Sequence, residues 1–226
     1  MRRLAVVFLM MAGSIWASGS RTAAQSAPPP QNADALARAL QQRYQGIKDF
    51  SAEFVHTYRG GVLRTQTREQ GTVKIKKPGM MRWLYTAPER KEFVSDGVKI
   101  YSHIPQDRQV LVSPVPPDNQ ATTPALFLSG KGDLARDFTA AIVPSPIPDA
   151  VGLKLTPKRP EAEYEYFVVA TAQPGLQIRG LATHDRQGGD SVIAFMNLKE
   201  NQGISDKEFA FRIPKGTDVI TNGAGN

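Results

Sequence analysis

From Phe50 onward the large apolar side chains fall on every second residue for most of the chain, and clusters of Gly, Pro, Asp and Asn interrupt them at short intervals. A period of two is the period of a strand with one covered face, and short interruptions leave no room for crossover helices. The chain is therefore expected to form an antiparallel meander. Phe50, Ala52, Phe54, His56 and Tyr58 alternate with Ser51, Glu53, Val55 and Thr57 in the first strand. Gly60 and Gly61 turn the chain. The next run places Arg64, Gln66, Arg68, Gln70, Thr72, Lys74 and Lys76 on one wet face. Its other face carries Thr65, Thr67, Glu69, Gly71, Val73, Ile75 and Lys77, with Gly71 where a bent sheet can fold over itself.

Further strands are predicted at Met80–Thr86, Lys91–Asp96, Val98–Ile104 and Arg108–Ser113. A second set follows at Val151–Thr156, Tyr164–Thr171, Leu176–Thr183, Ser191–Glu200 and Lys207–Ile213, for about eleven strands in all. Ahead of them, Asn32 is placed to cap a helix with an apolar stripe of Ala33, Leu36, Ala37, Leu40, Tyr44 and Ile47. Between the two sets, residues about 114–149 break the alternation. TTPALFLSG and GDLARDF read as two short helices, with Thr123 as a cap, Pro124 at a first helical position and Gly130 as a stop. Leu126, Phe127 and Leu128 cannot share one face of a short helix. That segment is buried all round or has apolar partners on two sides.

The stretch KIKKPGMMRWLYTAP, Lys74 to Pro88, sets the functional question. Counting by twos puts Val73, Ile75 and Lys77 on one side of the first run, and Met81, Trp83 and Tyr85 on one side of the second. These residues fit a closed core with a charge at its rim, and they fit equally a cavity that holds something.

The N-terminus reads as an export signal over residues 1–24: Arg2 and Arg3, an apolar run from Leu4 to Ile15, then small and polar residues, with cleavage expected between Gly19 and Gln25. Residues 25–31, with Ala27 to Pro30 as APPP, read as an extended tether. The remainder, 32–226, is expected to be a single domain. Three of the 28 basic residues and none of the 21 acids lie in the leader, so the formal charge falls from +7 to +4 on cleavage. Basic residues mostly alternate with apolar ones and form no long run, which argues against a nucleic-acid partner. The chain has no cysteine. That removes disulfides and also the thiol a bacterial lipoprotein needs for its lipid, so an exported chain of this kind is expected to be unanchored.

Enzyme chemistry is poorly represented. His56, His103 and His184 lie in different strand candidates without metal-ligand spacing, SGKGDL lacks the glycine pattern of a phosphate loop, and there is no GxSxG. No catalytic residue, metal or cofactor is expected.

The segment GTVKIKKPGMMRWLYTAPERKEFVSDGVKIYSHIP resembles the LolA family of periplasmic lipoprotein carriers. The similarity extends from the helix and its FSAEF continuation, through TTPALFLSG at the place of the family's helical lid, to FAFRIPKG. The resemblance implies an α+β fold: a strongly curved, incomplete antiparallel barrel closed by the lid. It also implies an apolar cavity that shields the acyl chains of lipoproteins. The residues expected to line it are Phe54, Val73, Ile75, Met81, Trp83, Tyr85, Phe93, Tyr101, Leu126, Phe127 and Leu128. Lys77 and Pro78 stand at the family's basic-Pro position, where arginine is common and the cation ties barrel to lid. Implied partners are acylated lipoproteins as cargo, a LolCDE-type ABC transporter in the inner membrane and a LolB-type acceptor in the outer membrane, for a monomeric carrier in the periplasm.

Two departures bear on the cavity. Lys77 replaces arginine, and Tyr101 and His103 stand where the family often has Trp and then Tyr. Two other readings stay open: an envelope sensor of the same fold, expected to need a further domain where only thirteen residues follow Ile213, and an exported enzyme acting on lipid.

Overall fold

The computed structural model describes residues 32–60, 65–116 and 124–221. The stretches read as signal and tether, and the expected cap Thr123, lie outside the described residues. The first set of strands is β1 (Asp49–Gly60), β2 (Thr65–Lys76), β3 (Met80–Ala87), β4 (Lys91–Asp96), β5 (Lys99–Ile104) and β6 (Gln109–Pro114). The second is β7 (Phe138–Pro144), β8 (Val151–Pro157), β9 (Tyr164–Thr171), β10 (Ile178–Asp185) and β11 (Asp190–Glu200), with β12 (Asp218–Thr221) last. All twelve form one sheet in the order β12-β6-β5-β4-β3-β2-β1-β11-β10-β9-β8-β7. Neighbours are antiparallel except β12, which runs parallel to β6. The two meanders are joined where β1 pairs with β11, with Phe54 opposite Phe195. The terminal strands β7 and β12 do not meet, so the curved sheet stays unclosed.

One face of this sheet, here the inner face, carries the apolar half of the alternation. Phe54, Val73, Ile75, Leu153, Leu155, Phe167 and Val169 are all fully buried on it. Gly71 allows the tight approach this needs, because a side chain there would collide with the Leu84 carbonyl and the Phe54 ring. Helix α1 (Ala33–Gln45) lies over the inner face. Asn32 caps it by accepting the Ala35 N–H at 2.8 Å, and Leu36, Ala37, Leu40 and Tyr44 of the expected stripe point inward. Two short helices follow β6: α2 (Pro124–Leu128) and α3 (Leu134–Asp137).

Three expectations are corrected. The lid stretch of about 114–149 ends sooner, because Phe138–Pro144 is the edge strand β7, paired to β8 from Phe138 opposite Pro157 to Pro144 opposite Val151. In β7 only Phe138 is buried, so the strand shows little alternation. Conversely, Lys207–Ile213 is not a strand. A 3-10 turn at Asp206–Phe209 leads into an unpaired segment that crosses the outer face. Its alternation is real but has another origin, since Phe209 is buried and Phe211 stacks on Tyr101 without a ladder partner. The third correction is β12, a strand that is exposed throughout and so carries no period.

This C-terminal strap also dresses part of the face expected to be wet. Lys74 bonds Glu208 at 2.6 Å, Lys76 donates to the Ile204 carbonyl at 2.8 Å, and Arg82 donates to the Glu208 carbonyl at 2.6 Å. The anchor is Asp49, which is buried. Its carboxylate accepts the backbone N–H of Gln202 at 2.7 Å, of Gly203 at 3.1 Å and of Ile204 at 3.4 Å. A carboxylate satisfied by several amides is a strong, directional fixture. Asp49→Ala is expected to lower unfolding free energy by about 3 kcal/mol, against about 1 kcal/mol for the exposed helix cap Asn32→Ala. Urea unfolding measures both. Equal small losses would mean that water replaces the carboxylate and that the strap needs no anchor.

Candidate functional site

The inner face concentrates its aromatic side chains around Phe54. Its ring meets Trp83 at 5.2 Å and Tyr85 at 4.8 Å, both edge to face, and Trp83 meets Phe195 at 6.1 Å while Tyr85 meets Phe93 at 5.8 Å. Such contacts contribute beyond the area they cover. Val73, Ile75 and Met81 pack in the same cluster. The structure thus brings together all the expected sheet residues but one. Tyr101 lies on the outer face, opposite Val94, where it stacks on Phe211 at 5.2 Å and donates to Asp96 at 3.2 Å. The strap gives β5 a covered outer face, so its aromatic residues point away from the interior. Its inner-facing positions include Ser102, directly opposite Phe93.

Helix α2 answers the puzzle of its three adjacent apolar residues. Leu126, Phe127 and Leu128 are all at most 4% exposed, so the three are covered on more than one side of the helix, while Pro124 and Ala125 border open space. Phe127 packs on the Tyr44 ring of α1 at 5.1 Å. The Tyr44 hydroxyl donates to the Leu128 carbonyl at 2.5 Å, and the Gly79 N–H in the β2–β3 turn donates to the Ser129 carbonyl at 2.8 Å. These two bonds satisfy carbonyls at the helix end. Tyr44 was visible in the sequence only as one member of a helical stripe, and its hydroxyl gave no sign of a role.

Lys77 sits beside this junction. Its ammonium donates to the Tyr44 carbonyl and lies 4.2 Å from the centre of the Tyr44 ring. Its methylenes lie against Gly130, at φ +84°, where any side chain would strike them. The expected carbonyls at the lid's helix ends are therefore not its partners. The cation instead takes a carbonyl in the last turn of α1, where the helix dipole favours it, and touches the lid with its stem. Burial lowers the pKa of Lys77 to about 8. Burial also pushes the Tyr44 phenol above its ordinary range. Pro78 is exposed in the turn between Lys77 and Gly79.

The aromatic cluster is packed, and open space meets it at the edge of α2. A cleft of about 400 Å³ is lined by Trp83, Pro124, Ala125, Tyr164, Leu181 and Ile193, with Glu163, Thr183 and Ser191 at its rim. Roomier grooves of about 640 and 800 Å³ involve outer-face residues such as Lys154, Tyr166 and His184 in one and Arg82, His103 and Phe211 in the other. They do not reach the aromatic cluster, so size alone does not choose the site. The three histidines are separate. His103 lies near Phe211, His184 bonds Asp190 at 2.8 Å, and His56 faces inward.

His56 belongs to a polar group that sequence reasoning missed. Its Nε2 is 2.8 Å from the Ser191 hydroxyl, and its Nδ1 is 3.3 Å from both the Tyr85 hydroxyl and a Glu69 oxygen. The other Glu69 oxygen pairs with Lys91 at 2.6 Å, and Lys91 lies 4.4 Å from the Tyr85 ring centre. Burial lowers the His56 pKa, against the pull of Glu69, and burial followed by the Glu69 charge raises that of Tyr85. These residues come from five neighbouring strands, β1 to β4 and β11, and only their cross-strand register brings them together.

Comparison with known proteins bears on this arrangement. The family described as "Outer membrane lipoprotein carrier protein LolA" matches residues 45–212. An outer-membrane lipoprotein carrier protein of Chromohalobacter salexigens is 34% identical over 189 residues, 83% of this chain and 87% of that protein. Another, from Neisseria gonorrhoeae, is 32% identical over 81% of this chain and 86% of that protein. Among solved structures, an uncharacterized conserved protein of Thermus thermophilus superposes with a TM-score of 0.51 at 12% identity, covering 82% of this chain and 98% of that one, a likeness of fold alone. Matched continuously from α1 to the outer strap, the chain belongs to the LolA family of outer membrane lipoprotein carrier proteins.

Proposed function

We propose that this protein is a carrier that holds the acyl chains of lipoproteins on its aromatic inner face and releases them unchanged. Its place is the periplasm, after removal of the leader, and its partners are a LolCDE-type exporter and a LolB-type acceptor. The carrying observation is the cover itself: a five-residue helix with three large apolar side chains, seated on an aromatic sheet face and held by few polar bonds. Cargo requires such a place, since each methylene exposed to water costs about 0.8 kcal/mol. The 400 Å³ cleft beside α2 lies at the small end of ligand pockets, so uptake of several chains needs the cover to lift. The packed cluster then belongs to the closed state, in which Leu126, Phe127 and Leu128 occupy the place of cargo. Lys77, Tyr44 and the Pro78–Gly79 turn hold that state.

The purified chain is expected to bind an apolar fluorescent dye and to lose it to a triacylated cysteinyl peptide, which mass spectrometry recovers unaltered. Dye uptake only on denaturation would make the interior a plain core, and a processed peptide would make the protein an enzyme.

The latch separates from the fold. Tyr44→Phe keeps the ring on Phe127 but deletes the bond to Leu128, so the lid opens more readily while the melting temperature changes little. Apparent affinity for acylated peptide is expected to rise about five- to tenfold. Unchanged affinity in a folded variant would remove Tyr44 from lid control.

Lys77 adds a pH dependence. In the closed state its pKa is about 8, while a solvent-exposed lysine titrates near 10.5, so the open state binds more protons between these values. Raising pH from 7 to 9.5 discharges a buried ammonium and leaves an amine that still donates to Tyr44. Closure strengthens, and cargo affinity is expected to fall across that window. Arginine stays charged throughout, so Lys77→Arg should give a flat profile. Fluorescence titration at several pH values checks this, and parallel slopes in both proteins would assign the effect to another group.

A further inference from the structure

The polar group around His56 sits at one end of the aromatic strip and meets the cleft at Ser191. Along β1 the inward positions run Phe50, Ala52, Phe54 and then His56, so an apolar floor gives way to a polar one within a single step. Cross-strand register puts Glu69 directly opposite His56, and Lys91 directly opposite Tyr85. Ser191, the hydrogen-bond partner of His56, lines the cleft beside Trp83 and Ile193.

Hydrogen accounting shows that the group is not self-sufficient. Burial keeps His56 neutral near pH 7, so its ring carries one N–H. The carboxylate of Glu69 faces Nδ1 and has no proton to give, which assigns the N–H to Nδ1. Nε2 is then an acceptor for the Ser191 hydroxyl. With Nδ1 occupied as a donor, the Tyr85 phenol hydrogen has no acceptor among the described residues, although Tyr85 is only 7% exposed. A buried donor without a partner costs about 1–3 kcal/mol, and a bound acceptor would recover it. The Ser191 oxygen, having given its hydrogen to His56, presents lone pairs to the cleft.

Resting on the acyl-carrier reading, we propose that Tyr85, His56, Ser191 and Glu69 form a head-group subsite, which takes the polar junction of an acylated polypeptide while the aromatic floor takes its chains. The chemistry is complementary. The ester carbonyls of a glyceryl-cysteine accept from the Tyr85 phenol, and its amide N–H donates to Ser191. Glu69 acts as a positioning residue, fixing the His56 tautomer, with Lys91 holding the carboxylate. A plain hydrocarbon satisfies none of these groups. The protein would thus select for a linked head group among molecules with equal tails.

The test compares two ligands in the same dye-displacement assay on the purified chain: a tripalmitoylated cysteinyl peptide and a long-chain alkylbenzene with no ester or amide. Tyr85→Phe and Ser191→Ala are each expected to weaken the peptide about tenfold, the worth of one hydrogen bond, and to leave the alkylbenzene unchanged. Ser191→Thr keeps the hydroxyl and should retain peptide affinity. Equal losses for both ligands, or no loss for either, would make the group a structural ion-pair cluster and overturn the subsite. If the unmodified protein binds neither ligand, the carrier reading itself fails and the subsite with it. If it binds both but the variants do not discriminate, only the subsite fails.

Discussion

The structure depends on a sheet that curls but never closes. Because β7 and β12 stay apart, the inner face cannot cover itself from the opposite wall as a small barrel does, and its aromatic side chains need a separate cover. Helix α1 supplies part of it with a regular stripe, and α2 supplies the rest with three bulky residues in one turn and a half. Magnitudes decide whether such a cover can be exchanged for cargo. Burial of Leu126, Phe127 and Leu128 is worth about 1.5–3 kcal/mol each, and the bonds from Tyr44 and Gly79 about 1 kcal/mol each. A single chain of roughly sixteen carbons contributes on the order of 12 kcal/mol. A single chain therefore roughly matches the cover, and at that level the contest is close enough to be settled by a few polar contacts.

That closeness gives the junction at the end of α1 its importance. Tyr44 alone touches the lid in two ways, through its ring and its hydroxyl, and it receives Lys77 on its carbonyl and ring face. The Lys77 nitrogen donates to a carbonyl in the last turn of α1, as its neutral amine also can, and the same turn positions the hydroxyl that bonds α2. In the proposed closed state Lys77 bears on α2 through Tyr44 more than by reaching the helix ends of α2. Lysine in this place is a compact charge on a flexible stem, which leaves room for Gly130 alone against its methylenes.

Much of this was legible in the sequence, and the failures have one physical source. Alternation reports which side chains are covered and is silent about what covers them. Phe54, Val73, Ile75, Met81, Trp83 and Tyr85 share one covered face, as their alternation predicts, because their cover lies on the inner side. Tyr101, expected in the cavity from the family resemblance, is covered by Phe211 from the strap and so lies on the other side of the sheet. FAFRIP looked like a strand because Phe209 and Phe211 press on the sheet alternately, with no ladder beneath them. The edge strands β7 and β12 hid for the opposite reason, being too exposed to show a period. Asp49 and His56 act through backbone amides and cross-strand neighbours that one-dimensional spacing cannot place.

The two faces are held by different kinds of force, and this makes a movable cover compatible with a stable sheet. On the outer side the strap is fixed by a buried carboxylate accepting backbone amides, by two lysines and an arginine, and by Phe209 in a closed apolar site. Those bonds are directional, and losing the ones at Asp49 leaves a buried carboxylate without its partners, which opposes displacement of the strap. On the inner side α2 is held mainly by apolar contact, which a hydrocarbon of similar volume can replace at the cost of the bonds from Tyr44 and Gly79. In the proposed carrier, directional bonds secure the strap, and interchangeable contacts secure the helix that cargo displaces. Lifting α2 then leaves the β1–β2 and β1–β11 ladders intact, so the sheet can keep its shape as its interior changes occupant.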